Sequence, residues 1–146
     1  MDITVEAILS HLAAEGFPLT GQRRALVALA MSQANLFTAE ELLAEGRRRG
    51  EAAGRATVFR TLDLLARLGY IGRVSDGGRQ GYVVCSPDHH HHLVCSGCGK
   101  VLHLAGCPID GYLHEVAAST GFQIDRHHLE LRGLCPSCRE GLANYP

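Results

Sequence analysis

Apolar residues recur every three or four positions through the first half of the chain, and then the spacing falls to two. Val5, Ile8, Leu9 and Leu12 share one face of a helix that Gly16 and Pro18 close. Thr20 is placed to cap a second helix carrying Ala25, Leu26, Leu29 and Ala30. Thr38-Ala-Glu-Glu41 has the form of a capping box ahead of Leu42 and Leu43, and Gly50 stops that third helix. A fourth, from about Arg55 to Leu68, turns Val58, Leu62, Leu65 and Ala66 inward and Thr57, Arg60, Thr61 and Arg67 outward, and Gly69 ends it.

After Gly69 the alternation Tyr70 to Val74, a turn over Ser75-Asp76-Gly77-Gly78, and Gly81 to Cys85 predict a β-hairpin. Short helices followed by a hairpin are the parts of a winged helix, in which one amphipathic helix enters the major groove of DNA. The second half reads differently. Leu93 to Cys95, Lys100 to Leu104 and Phe122 to Leu134 predict strands, with one helix from about Ile109 to Ser119 closed by Gly121. The expected class is α+β: a winged-helix domain over residues 1–84 and a small α/β dimerisation domain with a four-cysteine zinc site over residues 85–146.

The chain has 146 residues. Halves of that size have thin cores and call for metal or oligomerisation. No apolar run approaches the ~20 residues that span a bilayer, and Asp2, Glu6, His11 and Glu15 break up the start, so a cytoplasmic protein without membrane contact is expected. The net charge of -1 conceals an asymmetry, because nine arginines stand against five acids between Gly21 and Arg73. That excess suits a face that docks on phosphates, and equally a solvated helix face.

All six cysteines and eight of nine histidines follow residue 84. In a reducing compartment paired Cys-x-x-Cys reads as a metal site before it reads as a disulfide framework. Cys95-Ser-Gly-Cys98 and Cys135-Pro-Ser-Cys138 together supply the four thiolates of a structural zinc site, with a redox dithiol as the alternative. The run His89-His90-His91-His92 precedes a predicted strand, where successive side chains alternate faces. His90 and His92 then point one way, with Cys85 and His103 in reach, and His89 and His91 the other, with Asp110 and His127. Solvated histidines are the bland alternative.

Catalysis is not expected. His128-Leu-Glu130 ahead of Cys135 faintly follows the zinc deaminase pattern, but Leu134 stands where a proline is needed and the gap is too short. No activated serine, Walker loop or dinucleotide fingerprint is present.

Thr20-Gly-Gln-Arg23, Ala56-Thr-Val-Phe-Arg-Thr-Leu62, His89 to Lys100, Gly121-Phe122 and His127 to Cys138 resemble, in order, the ferric uptake regulator family. The resemblance implies a dimeric repressor that binds palindromic operator DNA when loaded with a regulatory metal. It assigns the DNA contacts to Arg60, with Thr57, Phe59 and Thr61 on the same recognition helix, and a backbone contact to Arg23. Phe59 replaces the usual tyrosine, keeping the ring and losing the hydroxyl.

Iron-type members draw regulatory ligands from positions that here hold Leu36, Val83 and His103. Cys85 instead matches the thiol of zinc-sensing members. The acid that those members often use after the recognition helix is Gly72 here, so His103 is nominated as fourth ligand beside Cys85, His90 and His92. Thiolate with imidazoles suits zinc better than iron or manganese, although Fe2+ or Mn2+ stay open as the regulatory ion. The family's second site maps to His89, His91, Asp110 and His127, and Cys107 receives no role. The expected function is a zinc-sensing repressor. The alternatives are an iron- or peroxide-responsive relative and, in another class, a zinc-storage or metallochaperone module.

Overall fold

The computed structural model describes residues 3–51, 53–76, 79–86 and 88–143. The chain divides into two compact units, Met1–Pro87 and Asp88–Pro146.

In the first unit, α1 (Val5–Ala14), α2 (Gly21–Met31), α3 (Ala39–Arg48) and α4 (Arg55–Arg67) form where the periodicity places them. Their ends are set locally. Thr20 Oγ1 accepts from the Arg23 N–H at 3.2 Å, and Thr38 with Glu41 closes the reciprocal capping box. Gly16, Gly50 and Gly69 follow three of the helices with φ of 83°, 71° and 82°, the left-handed conformation that lets the chain leave a helix without a Cβ clash. The inward stripes meet in one core in which Ile8, Leu12, Val27, Leu42, Val58, Leu62 and Leu65 are all buried. Each contributes about 1.5–3 kcal/mol by leaving water.

One position on α4 departs from expectation. Thr61 is not on the outer face but 1% exposed, and its hydroxyl has no hydrogen-bond partner among the described residues. The buried face of α4 is wider than the one expected, since Leu64 is buried too. Thr61 therefore serves the core rather than a DNA contact.

The hairpin consists of β1 (Ile71–Asp76) and β2 (Arg79–Val84), antiparallel with Ile71 opposite Val84 and Asp76 opposite Arg79. Ser75 and Asp76 extend the strand instead of opening the turn, and Gly77 and Gly78 lie outside the described residues. Phe37 and Tyr82 exchange backbone hydrogen bonds of 3.0 and 2.7 Å, tying the hairpin to the segment before α3. A Cβ at Gly81 would meet Leu36 Cδ1 at 2.7 Å, so glycine leaves that side chain its place. Helices α1 to α4 and the hairpin together make a winged helix.

In the second unit, β3 (His90–Cys95) is the central strand, antiparallel to β4 (Val101–Ala105) and parallel to β5 (Glu130–Gly133). The parallel pairing needs a crossover, which α5 (Asp110–Thr120) supplies. The strand expected from Phe122 to Leu134 is present only as Glu130–Gly133. Apolar content misled here: Phe122 is 75% exposed, and the segment before Glu130 has no strand to pair with among the described residues. A final helix, α6 (Pro136–Ala143), was not expected. Pro136 suits its first position, where a missing N–H is no loss, and the Arg139 N–H donates to the Cys135 carbonyl at 2.9 Å.

Candidate metal centres and nucleic-acid face

Cys95 ends β3 opposite Gly133 of β5, Cys98 follows in a tight turn, Cys135 directly precedes α6 and Cys138 lies in its first turn. Their four sulfurs lie within 4.8 Å of one another, with Cys98 Sγ and Cys135 Sγ 3.8 Å apart. Four sulfurs placed about 2.3 Å from one zinc ion stand about 3.8 Å from each other, so the set fits a tetrahedral zinc. The Cys135 N–H donates to Cys95 Sγ at 3.3 Å. Such backbone donors, from Cys135 first and then Cys98, bring the Cys95 thiol down to about 6, while the crowding of Cys135, Cys95 and Cys98 around Cys138 pushes its thiol up to about 12. Four thiolates this close repel one another, and a dication is what allows them to coexist.

The histidine run separates by strand alternation. On one face the Nε2 atoms of His90 and His92 are 3.1 Å apart, and the His103 ring, across the β3–β4 register from His92, has its centroid 5.0 Å from that of His92. His90 Nδ1 donates to the Asp88 carbonyl at 2.6 Å, which fixes its tautomer and puts the lone pair on Nε2, the atom that faces His92. Burial holds the His103 pKa below its ordinary value, with His90 adding to the effect, which favours the neutral ring that a metal binds. Cys85, grouped with this face in the sequence, belongs to the first unit. Its N–H donates to the Tyr70 carbonyl at 2.9 Å, and burial pushes its thiol up to about 11.

On the other face His89 and His91 meet His127, with Nε2 separations of 3.1 Å and 3.4 Å from His91. His91 is 4% exposed and donates from Nδ1 to the Leu129 carbonyl at 3.3 Å, and burial keeps its pKa low. The expected acid is not there. Asp110, in the first turn of α5, has its carboxylate 3.5 Å from His114 Nδ1, while Cys107 Sγ stands 3.3 Å from His127 Nε2 and joins His89, His91 and His127 within 4.8 Å. Cys107 was legible only as a cysteine without a role in a metal-rich half; no spacing rule pointed to it.

The expected DNA contacts divide by exposure. Arg60 projects from α4 with Nη2 3.4 Å from Thr57 Oγ1, and Thr57 and Phe59 are half-buried. Arg55 lies over the Phe59 ring, 5.1 Å from its centroid, and pairs with Glu40, so that ring is held rather than loose. Arg23 is half-buried and folds back, donating from Nη1 to the Pro18 carbonyl at 2.5 Å.

A winged helix followed by a cysteine- and histidine-rich unit whose four-cysteine cluster could hold zinc has the parts of a class, the metal-responsive transcription regulators. The model of the ferric uptake regulator family matches residues 14–132, and the chain belongs to that family. Over 129 residues it is 38% identical to the zinc uptake regulation protein of Mycobacterium tuberculosis, an alignment covering 88% of this chain and 99% of that one. A solved zinc uptake regulator complexed with zinc and DNA superposes with a TM-score of 0.70 at 27% identity, covering 97% of this chain and 99% of that one. The Helicobacter pylori ferric uptake regulator shares the fold, with a TM-score of 0.76 at 22% identity over 95% and 97% of the two chains.

Proposed function

We propose that the chain is a zinc-sensing repressor that binds operator DNA in the cytoplasm as a homodimer, with Cys85, His90, His92 and His103 as its regulatory ligands. The observation that carries this reading is the ligand chemistry. His90, His92 and His103 converge on one face of the β3–β4 pair, while Leu36 packs on Gly81 and Val83 is buried at positions where iron-type relatives place ligands. Imidazoles with a thiolate favour zinc over Fe2+ or Mn2+. The Mycobacterium tuberculosis relative supports the same choice, and the ferric regulators of this fold keep an iron-responsive reading as the alternative.

Dimerisation is supported by the second unit's surface. Leu102, Tyr112, Phe122, Leu131 and Leu134 are exposed, and α5 has no buried residue. A second copy would cover them.

Cys85 closes the winged-helix unit and the histidines open the next, so joint ligation would stiffen the passage between them. A palindrome requires its two reading helices about 34 Å apart, and a stiffened passage keeps that separation. Linkage then makes zinc and operator tighten each other by about 1–3 kcal/mol. Operator affinity measured against buffered free zinc tests this. Cys85→Ala is expected to fold, dimerise and keep its structural zinc while losing zinc-stimulated binding. Coincident curves for the two proteins, or stimulation of the wild type by Fe2+ at lower free concentration than by zinc, would overturn it.

A further inference from the structure

The thiol of Cys107 lies on the loop between β4 and α5, outside every Cys-x-x-Cys pair, and its neighbours are the three imidazoles of His89, His91 and His127. We infer that Cys107, not Asp110, is the fourth ligand of that cluster, which makes it a further thiolate-bearing metal site, of the class that takes zinc or cobalt(II) rather than an oxygen-rich one.

Three observations carry this. The distances are those of ligands sharing a centre: nitrogens about 2.0–2.1 Å from a tetrahedral ion stand about 3.3–3.4 Å apart, and a nitrogen–sulfur edge is about 3.5 Å. The cluster gives 3.1 and 3.4 Å for its nitrogen pairs and 3.3 Å for Cys107 Sγ to His127 Nε2. His91 is the second. It is 4% exposed, its Nδ1 proton is committed to the Leu129 carbonyl, and its Nε2 lone pair therefore faces the cluster, an arrangement that orients a ligating imidazole. The third is Asp110, whose backbone carbonyl and carboxylate both engage His114 one turn along α5, at 2.8 and 3.5 Å.

The change of donor has consequences. A carboxylate with three imidazoles admits Mn2+ and Fe2+, whereas a thiolate shifts the preference toward zinc and cobalt(II). The cluster also ties β3 to His127, in the stretch between α5 and β5 that has no ladder of its own, and to the β4–α5 loop. Occupation of the site should order that stretch.

The test uses the full-length protein carrying Cys85→Ala, with the four-cysteine site loaded with zinc and its retention checked by metal analysis. Cobalt(II) alone is then added. The expected result is one bound ion with the visible bands of tetrahedral cobalt and an ultraviolet thiolate-to-cobalt charge-transfer band. Cys107→Ser in this background should remove the charge-transfer band and weaken cobalt binding roughly 10-fold or more, and Asp110→Asn should leave both unchanged. Circular dichroism checks that each variant is folded. Cobalt bound without a charge-transfer band, no cobalt bound, or loss of binding in Asp110→Asn would each overturn the inference. The readout is independent of operator binding, so it succeeds or fails separately from the zinc-sensing proposal.

Discussion

A Cβ added to Gly97 would stand 2.9 Å from Cys138 Sγ and 3.2 Å from Cys138 Cβ. The turn between the first two thiolates is thus closed directly against the fourth, and glycine is there for space. Gly97→Ala should push Cys138 off its position and lower zinc affinity by roughly 10- to 100-fold, the range seen when groups around a metal are disturbed. Zinc transfer to a chelator, compared between the wild type and this variant, reads the effect, and equal transfer rates would count against it.

Loss of a thiolate should be more severe. Cys95 lies on the central strand, and Cys135 and Cys138 lie beyond β5, so the four sulfurs clip the last elements of the second unit to its first. Cys95→Ser or Cys138→Ser is expected to leave that unit largely unfolded and the protein monomeric, because metal binding there is folding free energy. A dimeric, folded Cys95→Ser protein by sedimentation and circular dichroism would contradict this.

Arg60 and Arg23 should fail in different ways. Arg60 projects from the exposed side of α4, so Arg60→Ala should cost about 1–3 kcal/mol on the preferred operator and flatten discrimination among sequences. Arg23 is drawn back to the Pro18 carbonyl at the start of α2. Arg23→Ala should weaken all sequences alike and reduce the salt slope by about one. Gel shifts on operator and scrambled duplexes at several salt concentrations separate the two.

Thr61 offers the opposite case. Its hydroxyl is buried in α4 without a hydrogen-bond partner among the described residues, which leaves the desolvation of that oxygen unrepaid. Thr61→Val keeps the volume and removes the orphan, so stability should rise by about 1–3 kcal/mol with operator discrimination intact. Denaturant unfolding checks the first, and the same gel shifts the second. A variant that folds but no longer discriminates would place Thr61 back at the DNA.

The features legible in the sequence are those decided by neighbours along the chain. Helix periodicity, the Thr20 cap, the Thr38–Glu41 box and the terminating glycines depend on contacts three to five residues apart, and each formed where expected. So did the division of the histidine run into two faces, since alternation is a property of any strand. The two Cys-x-x-Cys pairs were equally plain, because each is a local turn and zinc's demand for four ligands joins them.

Other features required the tertiary structure. Whether Thr61 faced water depended on the width of the stripe that α4 buries against the other helices, and periodicity gives a direction but not a width. The stretch before Glu130 is apolar enough for a strand, yet a strand exists only where another lies beside it, and β3 pairs only with Glu130–Gly133 on that side. Cys107 and His127 are 20 residues apart, on segments with no regular repeat, and no rule of spacing brings them together. The choice between Cys107 and Asp110 was made by the first turn of α5, which directs the carboxylate to His114 and leaves the loop thiol beside the imidazoles. Local chemistry named the ligand types, and only the path of the chain between them decided which ones meet.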